Sequence, residues 1–278
     1  MSDVYTARVA VRHDELDCFG RIRPAVYLRY LAHAAVEAST AAGYGAAWYA
    51  AAGAMWLIRR STFDVLAPVG EGAELRIRTW VDDFRRVRSH RRYEVYGAGD
   101  VLHLAARTDW VYVNAATGRP RRVPPEMEAA LGGAGRMQER EPWPARVPPP
   151  VPARALHRVR LHELDAIGHV NNAAYLDLCV QATFDALAGV GWPLARMLEA
   201  GGVPTLVRAD VEYLDAALYG DTLALATWFT AADDAVEAHQ EIARERDARL
   251  LVRAATRWRW LGPVPAEALA ALGPLLGR

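Results

Sequence analysis

The chain has 278 residues, 52% of them hydrophobic and 24% charged, and its 33 basic residues are balanced by 33 acidic ones. That is an ordinary globular composition, which excludes wholesale disorder, and zero net charge argues against a nucleic-acid binder, which needs a basic excess. Every basic residue is Arg, so a P-loop lysine, a lysine Schiff base and pyridoxal-phosphate chemistry are excluded too.

In chain order, a first strand is predicted over Tyr5–His13, running into Asp17-x-x-Gly20. A helix follows over Pro24–Ala42, with Pro24 in its first turn and Gly43 as its stop. Between Gly118 and Arg154 the composition changes, and nine of the 16 prolines fall between Pro120 and Pro152. This stretch reads as an extended linker with a short helix near Glu126–Leu131. A strand over Ala155–His162 then runs into Asp165-x-x-Gly168, and a helix over Asn172–Val190 follows, with Asn172 as cap and Gly191 as stop. Later segments alternate with period two: Leu223, Leu225, Thr227 and Phe229 share one face, and Val252, Ala254, Thr256, Trp258 and Trp260 share another. One helix with four or so antiparallel strands, packed on a curled sheet, makes the fold class α+β.

The same order of elements appears twice because the sequence repeats itself. A shift of 148 residues lays Val11, Arg12, Glu15, Leu16, Asp17, Gly20, Ala25, Tyr27 and Leu28 on Val159, Arg160, Glu163, Leu164, Asp165, Gly168, Ala173, Tyr175 and Leu176. It also pairs Gly43 with Gly191, Thr79-Trp80 with Thr227-Trp228, and Thr108 and Trp110 with Thr256 and Trp258. The expected organisation is a domain over 1–118, a linker over 119–154 and a second domain over 155–278. Two Cys, Cys18 and Cys179, are too few for a disulfide framework or a Cys-rich metal site. The N-terminus MSDVYTARVAVRHDELD has no apolar signal segment, and no apolar run approaches the roughly 18 residues of a membrane span, so a soluble cytoplasmic chain is expected.

The stretch Asp165-x-x-Gly168-His169-Val170-Asn171-Asn172-x-x-Tyr175 resembles the motif of hotdog-fold thioesterases of the 4-hydroxybenzoyl-CoA thioesterase type. Two fused copies with a long linker resemble the double-hotdog acyl-ACP thioesterases. The resemblance implies a long helix wrapped by a five- or six-stranded antiparallel sheet, twice, with the two sheets joined edge to edge as a pseudo-dimer. It implies an acyl thioester on CoA or an acyl carrier protein as substrate; no cofactor, metal, nucleic-acid or membrane partner is expected, and a homodimer of the whole chain is left open.

Thioester hydrolysis needs a group that activates water or attacks the carbonyl, and donors for the oxyanion. An ionised Asp supplies the first, and the unpaired amides at a helix N-terminus supply the second. Gly168 permits the turn between them and leaves room for a thioester near the backbone. By resemblance, Asp165 is the base or nucleophile and the amide of Asn172, seven residues on, is an oxyanion donor. His169 is a candidate for orienting water or the carbonyl, and Asn171 for lining the site. In the first copy Asp17 remains, but Pro24, which has no N–H, stands where Asn172 stands, and Arg21 and Arg23 replace His169 and Asn171. The second copy therefore reads as the working site and the first as its degenerate partner, an asymmetry that resembles the plant acyl-ACP thioesterases. Those enzymes carry an Asn two residues after the Asp and a Glu-Cys pair on the following strand; this chain has Ile167 and Ala216-Ala217 there, with Glu212 and Asp215 nearby.

Against each reading stands a plainer one. Asp165 also suits a turn cap, Asn171 and Asn172 suit helix caps, Tyr27 and Tyr175 suit the core, and Cys179 suits a buried helix position. The run Arg85, Arg86, Arg88, Arg91, Arg92 would attract CoA phosphates or an acidic carrier protein, and equally suits a solvated strand pairing with Asp82, Asp83 and Glu94. The leading expectation is an acyl-thioesterase; acyl transfer at the same site, and a non-catalytic acyl-binding protein, are the alternatives.

Overall fold

The computed structural model describes residues 4–132, 142–143, 146–232, 235–263 and 265–277. The chain divides into two compact units, Met1–Glu141 and Pro142–Arg278.

In the first unit β1 (Tyr5–Ala10) ends sooner than alternation predicts, because His13–Glu15 curl into a turn of 3-10 helix. Glu15 causes this: its carboxylate accepts from the Arg12 amide at 2.8 Å and from the Arg12 guanidinium at 2.9 Å, so the backbone is satisfied locally rather than by a neighbouring strand. Then come α1 (Pro24–Ala41), α2 (Ala46–Ala52), β2 (Ala54–Val65), β3 (Glu74–Arg85), β4 (Arg88–Tyr96), β5 (Leu102–Asn114) and α3 (Pro125–Leu131). The strands pair antiparallel in the order β1-β3-β4-β5-β2. The helix α1 buries Tyr27, Leu31, Ala34 and Ala38, spaced three or four apart as one apolar face requires. Leu75, Ile77 and Val81 of β3 and Tyr93 and Val95 of β4 are buried at every second position and make up the sheet's side of the core.

The second unit repeats the plan with β6 (Ala153–Arg158), α4 (Asn172–Gly189), α5 (Leu194–Glu199), β7 (Val203–Tyr213), β8 (Thr222–Ala232), β9 (Ala235–Arg244), β10 (Arg249–Leu261) and α6 (Ala266–Ala271). Its strand order is β6-β8-β9-β10-β7, the same path. Even the bulges correspond: the β2–β5 register slips between Ile58 and Arg60, and the β7–β10 register slips at the matching place, between Leu206 and Arg208. Each unit is thus the α+β arrangement that the resemblance implies.

Both long helices end in the same way. Gly43 (φ +92°) donates to Thr40 O and Tyr44 to Ser39 O, while Gly191 (φ +86°) donates to Ala188 O and Trp192 to Leu187 O. This paired Schellman closure needs a left-handed residue, which Gly supplies without a Cβ penalty. The short helices α2 and α5 go beyond the expected elements; α2 is too short and too rich in Ala to show a period. The short helix expected near Glu126–Leu131 is α3, and it packs on the first unit: Val123 and Met127 are fully buried against Tyr44, Ala54 and Tyr112. Among the described residues no helix is long and apolar enough to cross a membrane.

Candidate active site

The Asp-x-x-Gly turn has one backbone geometry in both units. In the second, Asp165 N–H donates to His169 O at 2.8 Å and Gly168 N–H to Asp165 O at 3.0 Å, with Gly168 at φ +80°. In the first, Asp17 N–H donates to Arg21 O and Gly20 N–H to Asp17 O, with Gly20 at φ +74°. Each Asp carboxylate closes its own turn. Asp165 Oδ1 accepts from the amides of Ile167 (3.0 Å) and His169 (3.3 Å), and Asp17 Oδ1 from those of Phe19 (2.9 Å) and Arg21 (3.0 Å). The turn-capping role is therefore real in both copies.

The second carboxylate oxygen separates them. Asp17 Oδ2 lies 3.6 Å from the Arg21 guanidinium, in a half-buried ion pair. His169 replaces Arg21 in the second unit, and that ion pair has no counterpart on Asp165 among the described residues.

The turn leads straight into a helix. Asn171 N–H donates to Glu163 O at 2.8 Å and Val170 N–H to Ala217 O at 3.0 Å, which fixes the loop between the 3-10 turn before it and the segment after β7. Asn171, not Asn172, is the cap: it has extended φ/ψ, and its side-chain oxygen accepts from the Ala173 amide at 2.9 Å. Its carbonyl takes the Ala174 amide at 2.9 Å. Asn172 is the first helical residue, and its amide is one of the first-turn donors that a helix leaves without an internal acceptor. Its carbonyl accepts from the Tyr213 hydroxyl at 3.2 Å, and the Tyr175 hydroxyl accepts from the Ala217 amide at 3.1 Å. These two tyrosines, with ring centroids 6.2 Å apart, pin the start of α4 to the end of β7. In the first unit the cap position is Arg23, whose side chain makes no capping bond and reaches Asp14 O instead, at 2.8 Å.

The other candidates fall as follows. Glu212 is buried and paired with Arg253, and Asp215 is paired with Arg244 and Arg249, so both are held in ion pairs. Cys179 is fully buried, and burial pushes its thiol up to about 12, which keeps it protonated and unreactive. Tyr27 and Tyr175 are core residues, each 2% exposed.

The arginine run is split by the strand's own period. Arg85 and Arg88 face each other across the β3–β4 hairpin with Arg86 at its tip (φ +46°), and all three are exposed. Arg92 pairs with Asp82, and Arg85 reaches Asp83 at 3.8 Å. Arg91 points the other way and is buried, 7% exposed, in line with Ser89, Tyr93 and Val95. Reading the run as one surface cluster missed this; the signal was there, since residues two apart on a strand share a face.

A twice-built helix-and-sheet unit, each with an Asp-x-x-Gly turn at the foot of its long helix, defines a tandem hotdog protein. The chain belongs to the thioesterase-like superfamily, whose family model matches residues 11–131 and 159–261. Among characterised relatives, a 1,4-dihydroxy-2-naphthoyl-CoA hydrolase of Acaryochloris marina (strain MBIC 11017) is 30% identical over 109 residues, which is 38% of this chain and 80% of the relative. Among solved structures, a Lactobacillus plantarum protein described as an oleoyl thioesterase has a TM-score of 0.78 at 20% identity, covering 94% of this chain and 98% of that one. An acyl-ACP thioesterase from Bacteroides thetaiotaomicron has a TM-score of 0.73 at 17% identity, covering 92% and 98%. At these identities the two structures speak for the fold.

Proposed function

We propose that this chain hydrolyses acyl thioesters carried on CoA or an acyl carrier protein, and that the Asp165–Asn172 segment does the chemistry. The observation that carries the reading is the difference between the two turns: the first has its carboxylate in an ion pair with Arg21 and Pro24 at the first helical position, and the second has neither. The family and the named activities of the relatives support the reaction class.

In this reading Oδ1 of Asp165 stays with the loop amides, which fixes the carboxylate plane, and Oδ2 takes a proton from water. The resulting hydroxide adds to the thioester carbonyl, whose oxygen becomes an oxyanion held by the Asn172 amide at the positive end of α4. The C–S bond then breaks, the thiolate leaves and takes the proton from Asp165, and the products are an acid and a thiol. His169, on the same turn, orients the attacking water. On the first unit, taken by itself, the exposed Arg85, Arg86 and Arg88 form a cationic edge suited to CoA phosphates or an acidic carrier.

The test is a thiol-release screen over acyl-CoA and acyl-ACP substrates of several chain lengths and over aromatic acyl-CoAs. Turnover with at least one class is expected. Acyl transfer to an added alcohol or amine without hydrolysis, or binding without any turnover, would overturn it.

A further inference from the structure

The first unit contains a feature that the turn chemistry does not use. A cavity of about 300 Å³ opens inside it, within the range of small-molecule sites. Its walls are apolar and aromatic: Tyr44, Tyr49, Trp56, Phe84 and Trp110 line it, with Val36 from α1 and Leu131 from the end of α3. Most polar groups there are already matched to one another. The Tyr49 hydroxyl accepts from Trp56 Nε1 at 3.1 Å and bonds Ser39 Oγ at 2.9 Å, while Trp110 Nε1 donates to Thr108 Oγ1 at 2.6 Å.

Arg91 is different. It lines this cavity from β4 while 7% exposed. A guanidinium has five N–H donors and stays charged in a protein. Among the described residues the hydrogen bond found for this one runs from Nη1 to the neutral Thr79 Oγ1, at 3.3 Å, and its side chain pairs with no carboxylate. The hydroxyls of Tyr49 and Tyr93 are its neighbours, and burial holds it below the usual arginine range. A buried charge without a counter-charge is expensive, and such groups in folded proteins are paired or bind something.

The equivalent position in the second unit is Ala238. It pairs with Phe229 of β8 and Thr256 of β10, the counterparts of the Val81 and Thr108 that flank Arg91, and it is fully buried. An alanine there brings no charge into the core; Arg91 does, so its charge asks for a ligand.

We infer that the first unit binds a small apolar carboxylate, with the anionic oxygens on the Arg91 guanidinium and a flat, ring-bearing body between the aromatic walls. The charge of the site selects the class. One guanidinium among apolar walls matches one monoanion through a two-pronged contact, whereas a phosphate dianion would bring more charge into the same walls than one Arg can offset. This site lies beyond the hydrolytic reading; it is tested by binding alone and stands whether or not the chain turns over thioesters.

The experiment is calorimetric titration of the full chain with 2-naphthoate, 2-naphthylmethanol and 2-naphthyl phosphate, repeated on Arg91→Met. The wild-type chain is expected to bind the carboxylate at least about ten-fold tighter than the alcohol, the span a charge-assisted bond gives. R91M should bring the acid down to the level of the alcohol and should melt at a higher temperature without ligand, because an uncompensated buried charge is gone. Equal binding of acid and alcohol by the wild type, a preference that survives in R91M, or tighter binding of the phosphate would overturn the assignment. The wild-type comparison decides even where R91M fails to fold.

Discussion

The two turns of this molecule share a backbone and differ in what surrounds the carboxylate. Asp17 and Asp165 close the same loop with the same pair of amide bonds. Around Asp17 an Arg neutralises the remaining oxygen and a Pro begins the helix; around Asp165 a His and an Asn occupy those places. The lesson is that a duplicated fold keeps a residue for its structural work in both copies while its surroundings change. The shared aspartate alone therefore does not distinguish the two copies, and its neighbours do.

The comparison can be broken most sharply at the carboxylates. Asp165→Asn keeps an oxygen for the two loop amides and removes the charge. Turnover should fall by about 10²–10⁴, the range for a lost general base, with no loss of fold by circular dichroism. Asp17→Asn should leave turnover within about two-fold, since a merely structural residue adds nothing to the barrier. Equal losses from both would end the one-site account. Next, Asn172→Pro copies the first unit. Proline is tolerated at the first helical position, so the protein should fold while turnover drops by about 10²–10³, the cost of one oxyanion donor. Near-normal steady-state rates in that variant would remove the amide from the mechanism.

A third test concerns His239, buried on β9 and stacked on Trp228. The native His239 titrates near 4 against 6.5 for a free histidine, so between those values the unfolded chain binds a proton that the folded chain does not. Stability should therefore be fully present above pH 6.5 and fall as the pH drops toward 4. His239→Gln should flatten that slope in urea melts taken across the window, and an unchanged slope would count against it. The smallest expected effect lies at the helix caps. Asn171→Ala should cost about 1 kcal/mol of stability, through the lost bond from Ala173. Arg23→Ala should cost less than about 0.5 kcal/mol, because that side chain caps nothing. Equal shifts in urea midpoint would show that the two starts are not distinguished by capping.

Much of this was legible along the chain. The offset that aligns the Asp-x-x-Gly turns also aligns β2, β3 and β5 with β7, β8 and β10, both long helices and both Schellman stops, while β9 keeps step with β4 one residue earlier, because a repeat transmits element boundaries as well as residues. Proline's missing N–H is a property of the residue and needed no coordinates. What stayed hidden depends on which way side chains face. The capping bond belongs to Asn171 rather than Asn172, since two adjacent Asn offer the same chemistry and only the backbone angles choose. Arg91 looked like one more member of a surface run, because linear spacing does not show that β4 turns it inward. The aromatic cavity draws on seven elements, from α1 to α3, and no window of sequence contains it.

The placement of α3 bears on how the first half can be handled. Proline-rich composition suggests that a boundary after Gly118 would be harmless, yet Val123 and Met127 are sealed in the cluster around Tyr112, and the Val123 amide donates to Arg86 O at 2.8 Å across the β3–β4 hairpin tip. A fragment cut at Gly118 would leave Tyr44 and Tyr112 bare, free a left-handed arginine from its tether and strip Leu131 from the cavity wall. The excisable piece extends at least a dozen residues further than its amino-acid content advertises.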